Sequence, residues 1–175
     1  LTRPPIEIPD REALGMATHL DAAKGAYIIK EYDMNRPKEG LVIVRGTSST
    51  NSLVEILPKL KLKGPNVKVV AAISWELFQQ QTEGYRQSTI SNQEWMDAMV
   101  ITNGAKRLMH KWIANRVVEE YSMSPDFDNR WRSGGSLDEI IAESKLDSES
   151  VWEGINQFAR SRKQRLASIQ ESIPE

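Results

Sequence analysis

Apolar residues along the chain gather into short runs separated by stretches with helical spacing, the pattern of strands alternating with helices. Residues 26–32 are rich in β-formers and end in the turn signal DMNRPKEG. Residues 41–44, 67–73 and 97–102 carry little polar alternation and read as strands buried on both faces of a sheet. A fifth strand is expected over residues 117–121. Between these runs, Leu53, Ile56, Leu57 and Leu60 fall on one face of a helix starting near Ser52, with Pro58 making its later turns irregular. Gly64-Pro65 breaks that helix. Ser74 opens another helix through WELFQQQTEGY, and a further one follows Gly104 as far as Ala114. Leu137, Ile140 and Ile141 then mark a capped helix, and Val151, Trp152, Ile155 and Phe158 the apolar face of the last.

Such alternation predicts an α/β fold: a three-layer α/β/α sandwich around a sheet of about five strands, mostly parallel, with helices on both faces. Residues 1–12 contain three prolines and read as an extended linker, so residues 1–22 are set apart from a domain at 23–160. Residues 161–175 read as a solvated tail.

Composition narrows the function classes. The chain has 175 residues, enough for one domain with a real core, and a formal net charge of −1 with both signs interspersed. No field favours nucleic acid or an anionic membrane, and no apolar segment is long enough to span a bilayer. Cysteine is absent, which removes disulfides, thiolate metal sites and a cysteine nucleophile, and fits a cytoplasmic location. Because the chain begins at Leu1 and not Met, it is expected to be a piece of a longer one.

The clearest candidate chemistry lies in GTSSTNS, residues 46–52, between an apolar run and a helix. Gly46, Thr47, Ser48 and Ser49 make a candidate regulatory anion turn, since backbone N–H groups and hydroxyls at a helix N-terminus receive anions. The same residues serve equally as helix caps, and capping is the commoner use; the turn has neither GxGxxG nor a P-loop lysine. His19 and His110 have no partners at metal-ligand spacing. The five tryptophans are scattered and suit packing. Arg160, Arg162, Lys163 and Arg165 read as a solvated helix face. By residue types alone, the chain carries no catalytic apparatus, no cofactor site and no metal site of its own.

The segment VKVVAAISWELFQQQTEGYRQSTI, residues 67–90, resembles the C-terminal domain of transketolases, where paired valines on a strand precede Ser, Phe, Gln and Tyr. Those positions are Val69, Val70, Ser74, Phe78, Gln81 and Tyr85. KGAYIIKEYD resembles that domain's entering strand, and LVIVRGTSSTNSLVEIL stands where the family has a strand, a Thr-Gly-Ser turn and a helix. LTR followed by prolines resembles the Leu-Ser-Arg-Gln that ends the family's middle domain, so residues 1–22 would be the linker from that pyrimidine-binding domain. Beyond residue 95 agreement weakens: NRWRSGGSLDEII replaces the family's Phe-Gly-x-Ser-Ala-Pro segment, and the Glu after the Thr-Gly-Ser turn is missing. The resemblance is to a divergent member.

The resemblance implies a first strand antiparallel to the rest. It also implies transfer of a two-carbon ketol unit from a ketose phosphate to an aldose phosphate, with thiamine diphosphate and Mg²⁺ held by other domains. This portion would then be architectural, supporting a homodimer with the N-terminal and middle domains, and inactive alone. Arg3 would bind the substrate phosphate in the intact enzyme, because a guanidinium fork matches phosphate oxygens and keeps its charge. Three alternatives stand: a separately encoded subunit of a split transketolase; a portion of a 2-oxoacid dehydrogenase or deoxyxylulose phosphate synthase; and an independent interaction or anion-binding module.

Overall fold

The computed structural model describes residues 8–130, 132 and 134–172. Its centre is a four-stranded sheet of β1 (Ala26–Lys30), β2 (Leu41–Arg45), β3 (Lys68–Ala72) and β4 (Ala98–Thr102) in the order β1-β3-β2-β4. β2 is parallel to both β3 and β4, and β1 is antiparallel to β3, as expected for the first strand.

The fifth strand is reduced to one parallel bridge, Met123 beside Ile101. Residues 116–119 are helical instead, because the Asn115 side chain accepts the Val118 N–H at 3.0 Å and caps a short α5 (Arg116–Glu119). That local cap prevails over the β-propensity of Val117 and Val118.

Period-2 alternation divides the strand side chains between two cores. On one face Tyr27, Val42, Val69 and Met99 meet α1 (Thr47–Lys63) and α7 (Ser148–Arg160) through Leu53, Leu57, Val151, Ile155 and Phe158. On the other, Ala26, Ile43, Val70 and Val100 meet α2 (Trp75–Gln79), α3 (Glu83–Thr89), α4 (Asn92–Met96) and the Met109–Trp112 segment. The three-layer sandwich is therefore present.

Three local expectations change. α1 begins at Thr47, a turn and a half before Ser52, and runs unbroken past Pro58. Pro58 faces solvent, where water can hydrate the Val54 carbonyl that the missing N–H leaves free. The segment 74–85 divides into α2 and α3, because Thr82 accepts the Tyr85 N–H and starts a new helix. After Gly104 only a 3₁₀ turn, Lys106–Met109, forms.

Described residues of both flanks pack against this core. Leu14, Met16, Ala17 and Ala22, from the stretch read as linker, pack against the core. Beyond α6 (Leu137–Glu143) and α7, the stretch read as a solvated tail forms α8 (Arg162–Glu171), which packs on α5 and α7 and buries Arg165 and Ile169. Arg160 and Lys163 are solvated as expected, whereas Arg165 is only 1% exposed. The reason is its pairing with Asp97, 68 positions earlier in the chain. Among the described residues no helix is long and apolar enough to cross a membrane.

Candidate functional site

The strand order reverses around β2: the connection through α1 leads to β3 on one side, and the chain returns through α2–α4 to β4 on the other. In open α/β sheets ligands bind outside the carboxyl ends of strands at such a reversal. Here that position is occupied by Gly46 after β2 and Asn103 after β4.

Gly46 is the N-cap residue of α1, with φ 94° and ψ 153°. A Cβ at this position would lie 1.7 Å from Asn103 Oδ1, so the glycine both takes a left-handed conformation and admits the Asn103 carboxamide. A glycine cap has no side-chain acceptor, and no side chain caps α1. Thr47, Ser48 and Ser49 fall inside the first turn instead, and the first helical bond runs from the Thr50 N–H to Gly46 O at 3.0 Å. The capping role expected of these hydroxyls is therefore not what they do. By contrast, Ser74, Thr82, Ser91, Asn115, Ser136 and Asp147 all cap their helices through side-chain oxygens. Ser49 is fully buried, and its Oγ has no hydrogen-bond partner among the described residues.

Beside this turn lies a cavity of about 380 Å³, within the usual range for small-molecule sites. Thr47, Thr50 and Asn51 of α1 line one side, Tyr27 and Ile73 the sheet side, and Arg11 joins the lining. Arg11 is held in place by donating to Ala17 O at 3.0 Å and to the Tyr27 hydroxyl at 3.2 Å. Its guanidinium also lies 5.6 Å from the centre of the Tyr27 ring. Arg11 had no motif to mark it, because its place here depends on folding back from 16 residues away in sequence.

The remaining sequence candidates are dispersed. Arg3 lies outside the described residues. His19 is exposed, and exposed His110 only contacts Arg107 O through Nδ1 at 3.1 Å. Among the described residues no three His, Cys, Asp or Glu side chains come together to hold a metal ion.

The residues that carried the family resemblance have structural work. Val69 and Val70 are buried to opposite faces of β3. Ser74 caps α2, accepting the Leu77 N–H at 3.3 Å. Phe78 stacks on Trp112 with ring centres 5.8 Å apart and meets Trp75 and Tyr85 edge-on. Tyr85 donates to Ala26 O at 2.8 Å, tying α3 to the first strand. Gln81 donates to Leu77 O at 2.9 Å at the exposed end of α2.

Residues 25–124 match the family described as the transketolase-like TK C-terminal domain. The chain is 29% identical over 131 residues to a transketolase of Nostoc sp., covering 71% of this chain and 19% of that protein. It is 37% identical over 71 residues to a chloroplastic transketolase of Solanum tuberosum, covering 39% of this chain and 9% of that protein. Its fold is similar to a transketolase of Leishmania mexicana (TM-score 0.58, 16% identity, 83% of this chain and 19% of that one). It is equally similar to a Pichia stipitis transketolase solved with sedoheptulose 7-phosphate (TM-score 0.58, 19% identity, 86% of this chain and 20% of that one). The chain thus spans about a fifth or less of the length of these relatives.

Proposed function

The chain belongs to the transketolase C-terminal domain family, and on that premise we propose that it is the C-terminal domain of a transketolase acting on sugar phosphates. The observation that carries this reading is the extent of the match. It begins at Gly25, one residue before β1, and ends at Ser124, one residue after the Met123 bridge, so it spans the whole sheet with its covering α2–α4 layer.

In this reading the intact enzyme transfers a two-carbon ketol unit between sugar phosphates, and thiamine diphosphate supplies the carbanion-stabilising chemistry. In the same reading the cofactor and its Mg²⁺ belong to the N-terminal and middle domains, as the family resemblance implies. This domain supports a homodimer, in a cytoplasmic enzyme. Arg3 supplies a guanidinium to the substrate phosphate, and the turn Gly46, Thr47, Ser48 and Ser49 stays a candidate regulatory anion site.

The test is the size of the native polypeptide, followed by kinetics of the intact enzyme. A native chain several times longer than 175 residues, with ketol-transfer activity dependent on thiamine diphosphate, is the expected result. A native chain of this size that co-purifies with no cofactor-binding partner overturns it. In the intact enzyme Arg3→Ala should weaken sugar-phosphate use by about one to two orders of magnitude in kcat/KM, the loss of a charged hydrogen-bonding group. Unchanged kinetics would remove Arg3 from the substrate site.

A further inference from the structure

Buried ammonium groups in folded proteins are paired with carboxylates, and this domain follows the rule at one lysine and breaks it at another. Lys68 is buried on β3, and its Nζ faces Glu94 at 3.4 Å and Glu31 at 3.7 Å. Lys30, at the end of β1, is 9% exposed and pairs with no carboxylate among the described residues. Its Nζ donates only to the carbonyls of Val67, at 2.8 Å, and Glu31, at 3.2 Å. An ammonium has three donors, so one is left over.

Lys30 lines a cavity of about 260 Å³ whose rim carries two more cations, Arg36 and Lys61. Lys61 donates to Leu14 O and pairs with no carboxylate among the described residues. Arg36 donates to Gly64 O at 2.8 Å and, among the described residues, has only Glu39 within ion-pairing distance, at 3.9 Å. The loop presenting Arg36 is prearranged by Asn66, itself 1% exposed. Asn66 Nδ2 lies 2.8–3.1 Å from the carbonyls of Asp33, Arg36 and Pro37, and its Oδ1 accepts the Asp33 N–H at 2.8 Å. Two carboxylates also border the cavity but are turned to other donors. Glu31 accepts the Tyr32 N–H at 3.0 Å and faces Lys68; Asp33 accepts the Asn35 N–H at 2.9 Å. Three cations thus converge on one cavity, and among the described residues no carboxylate forms an ion pair with the innermost.

We propose that this cavity binds a phosphate-type oxyanion, gripped by Lys30 from its buried side and by Arg36 and Lys61 from the rim. Lys30 supplies the charge whose attraction is least screened, and the planar fork of Arg36 matches two oxygens. The remaining oxygens face the open side, so the anion enters free or as the end of a phosphate monoester. Burial and then the charges of Arg36 and Lys61, only partly offset by Glu31 and Asp33, hold the Lys30 ammonium below the usual lysine range, and a bound dianion would relieve that repulsion. The site lies at the opposite end of the strands from Gly46 and does not depend on the family reading.

The 175-residue chain is titrated with sodium phosphate, with glycerol phosphate, and with sodium chloride at matched ionic strength, following thermal unfolding and NMR shifts. Both phosphates should raise the melting temperature saturably beyond the chloride control. Equal affinity for the two means that the site reads the oxyanion alone, and tighter binding of glycerol phosphate means that it takes esters; either outcome supports the site. Lys30→Met and Arg36→Gln should each weaken binding by about tenfold or more, the value of one charged hydrogen bond. Lys30→Met keeps the length of the buried stem and removes the unpaired charge. Should that variant fail to fold, the exposed Arg36→Gln and Lys61→Gln carry the comparison. A shift no larger than that of chloride, or one unchanged in the Arg36 and Lys61 variants, overturns the proposal.

Discussion

Replacing Arg165 by Met removes the centre of the contact that holds the C-terminal helix. Arg165 Nε donates to Asp97 Oδ1 at 2.7 Å, and Nη1 donates to Ser161 Oγ at 2.8 Å and to Phe158 O. Nη2 lies 2.7 Å from the same Asp97 oxygen but off the hydrogen-bonding direction. The guanidinium also sits 3.6 Å from the centre of the Phe158 ring. Asp97 is itself buried, so losing Arg165 leaves a carboxylate in a poorly solvated place. Removing one partner of a buried ion pair costs about 3–5 kcal/mol. Arg162, whose Nε is 2.8 Å from Asp97 Oδ2, remains as a partially exposed partner and puts the expected loss at the lower end, about 3 kcal/mol. For a domain of this size that is a fall of roughly 6–12 °C in melting temperature. Urea unfolding of Arg165→Met, Asp97→Asn and the double variant measures it. The double variant should lose less stability than the two single losses added together, by about 1 kcal/mol or more. A single-variant loss below about 0.5 kcal/mol, the scale of an ordinary surface substitution, would refute the claim that this pair anchors α8.

Two further outcomes follow from local geometry. Burial pushes the Asp147 carboxyl up, but hydrogen bonds from the Ser150 hydroxyl and backbone N–H outweigh it and hold the group below its ordinary value of 3.8. Its contribution is therefore present above the unfolded value and lost as pH falls through the lower folded one. Asp147→Ala should cost about 1 kcal/mol at neutral pH, with the gap narrowing below about pH 4, as melting curves across pH would register; a constant gap would contradict the assignment. Gly46→Ala should destabilise by about 1–2 kcal/mol from its positive φ alone, with an added clash against Asn103. Adding Asn103→Ala should restore the clash portion only, and an unchanged denaturation midpoint in Gly46→Ala would refute both parts.

The buried strands were legible because both of their faces are covered. Residues 41–44, 67–73 and 97–102 are apolar at nearly every position, and all three are strands. The antiparallel first strand came from the family resemblance, since no periodicity specifies direction. What escaped was decided by partners distant in sequence or by one capping atom. Arg165 looks like its solvated neighbours Arg160 and Lys163 until Asp97, 68 positions away, is placed beside it. Val117–Val118 reads as strand until Asn115 claims the Val118 N–H. The hydroxyl run after Gly46 suggested caps, but the helix starts on the glycine and takes those residues into its first turn. Lys30 and Arg11 had no pattern at all, because their surroundings are assembled from separate turns of the chain.

The Asp97–Arg165 pair also bears on the order in which the domain can be made. During synthesis β4 and its preceding carboxylate leave the ribosome long before residue 165 does. Until then Asp97 has neither of its cationic partners, and the lower end of β4 stays open to water. The sheet can assemble on the nascent chain, but its closure waits for α8. Protease resistance of stalled chains should therefore rise sharply once α8, the helix that reads most like an afterthought, is free of the tunnel.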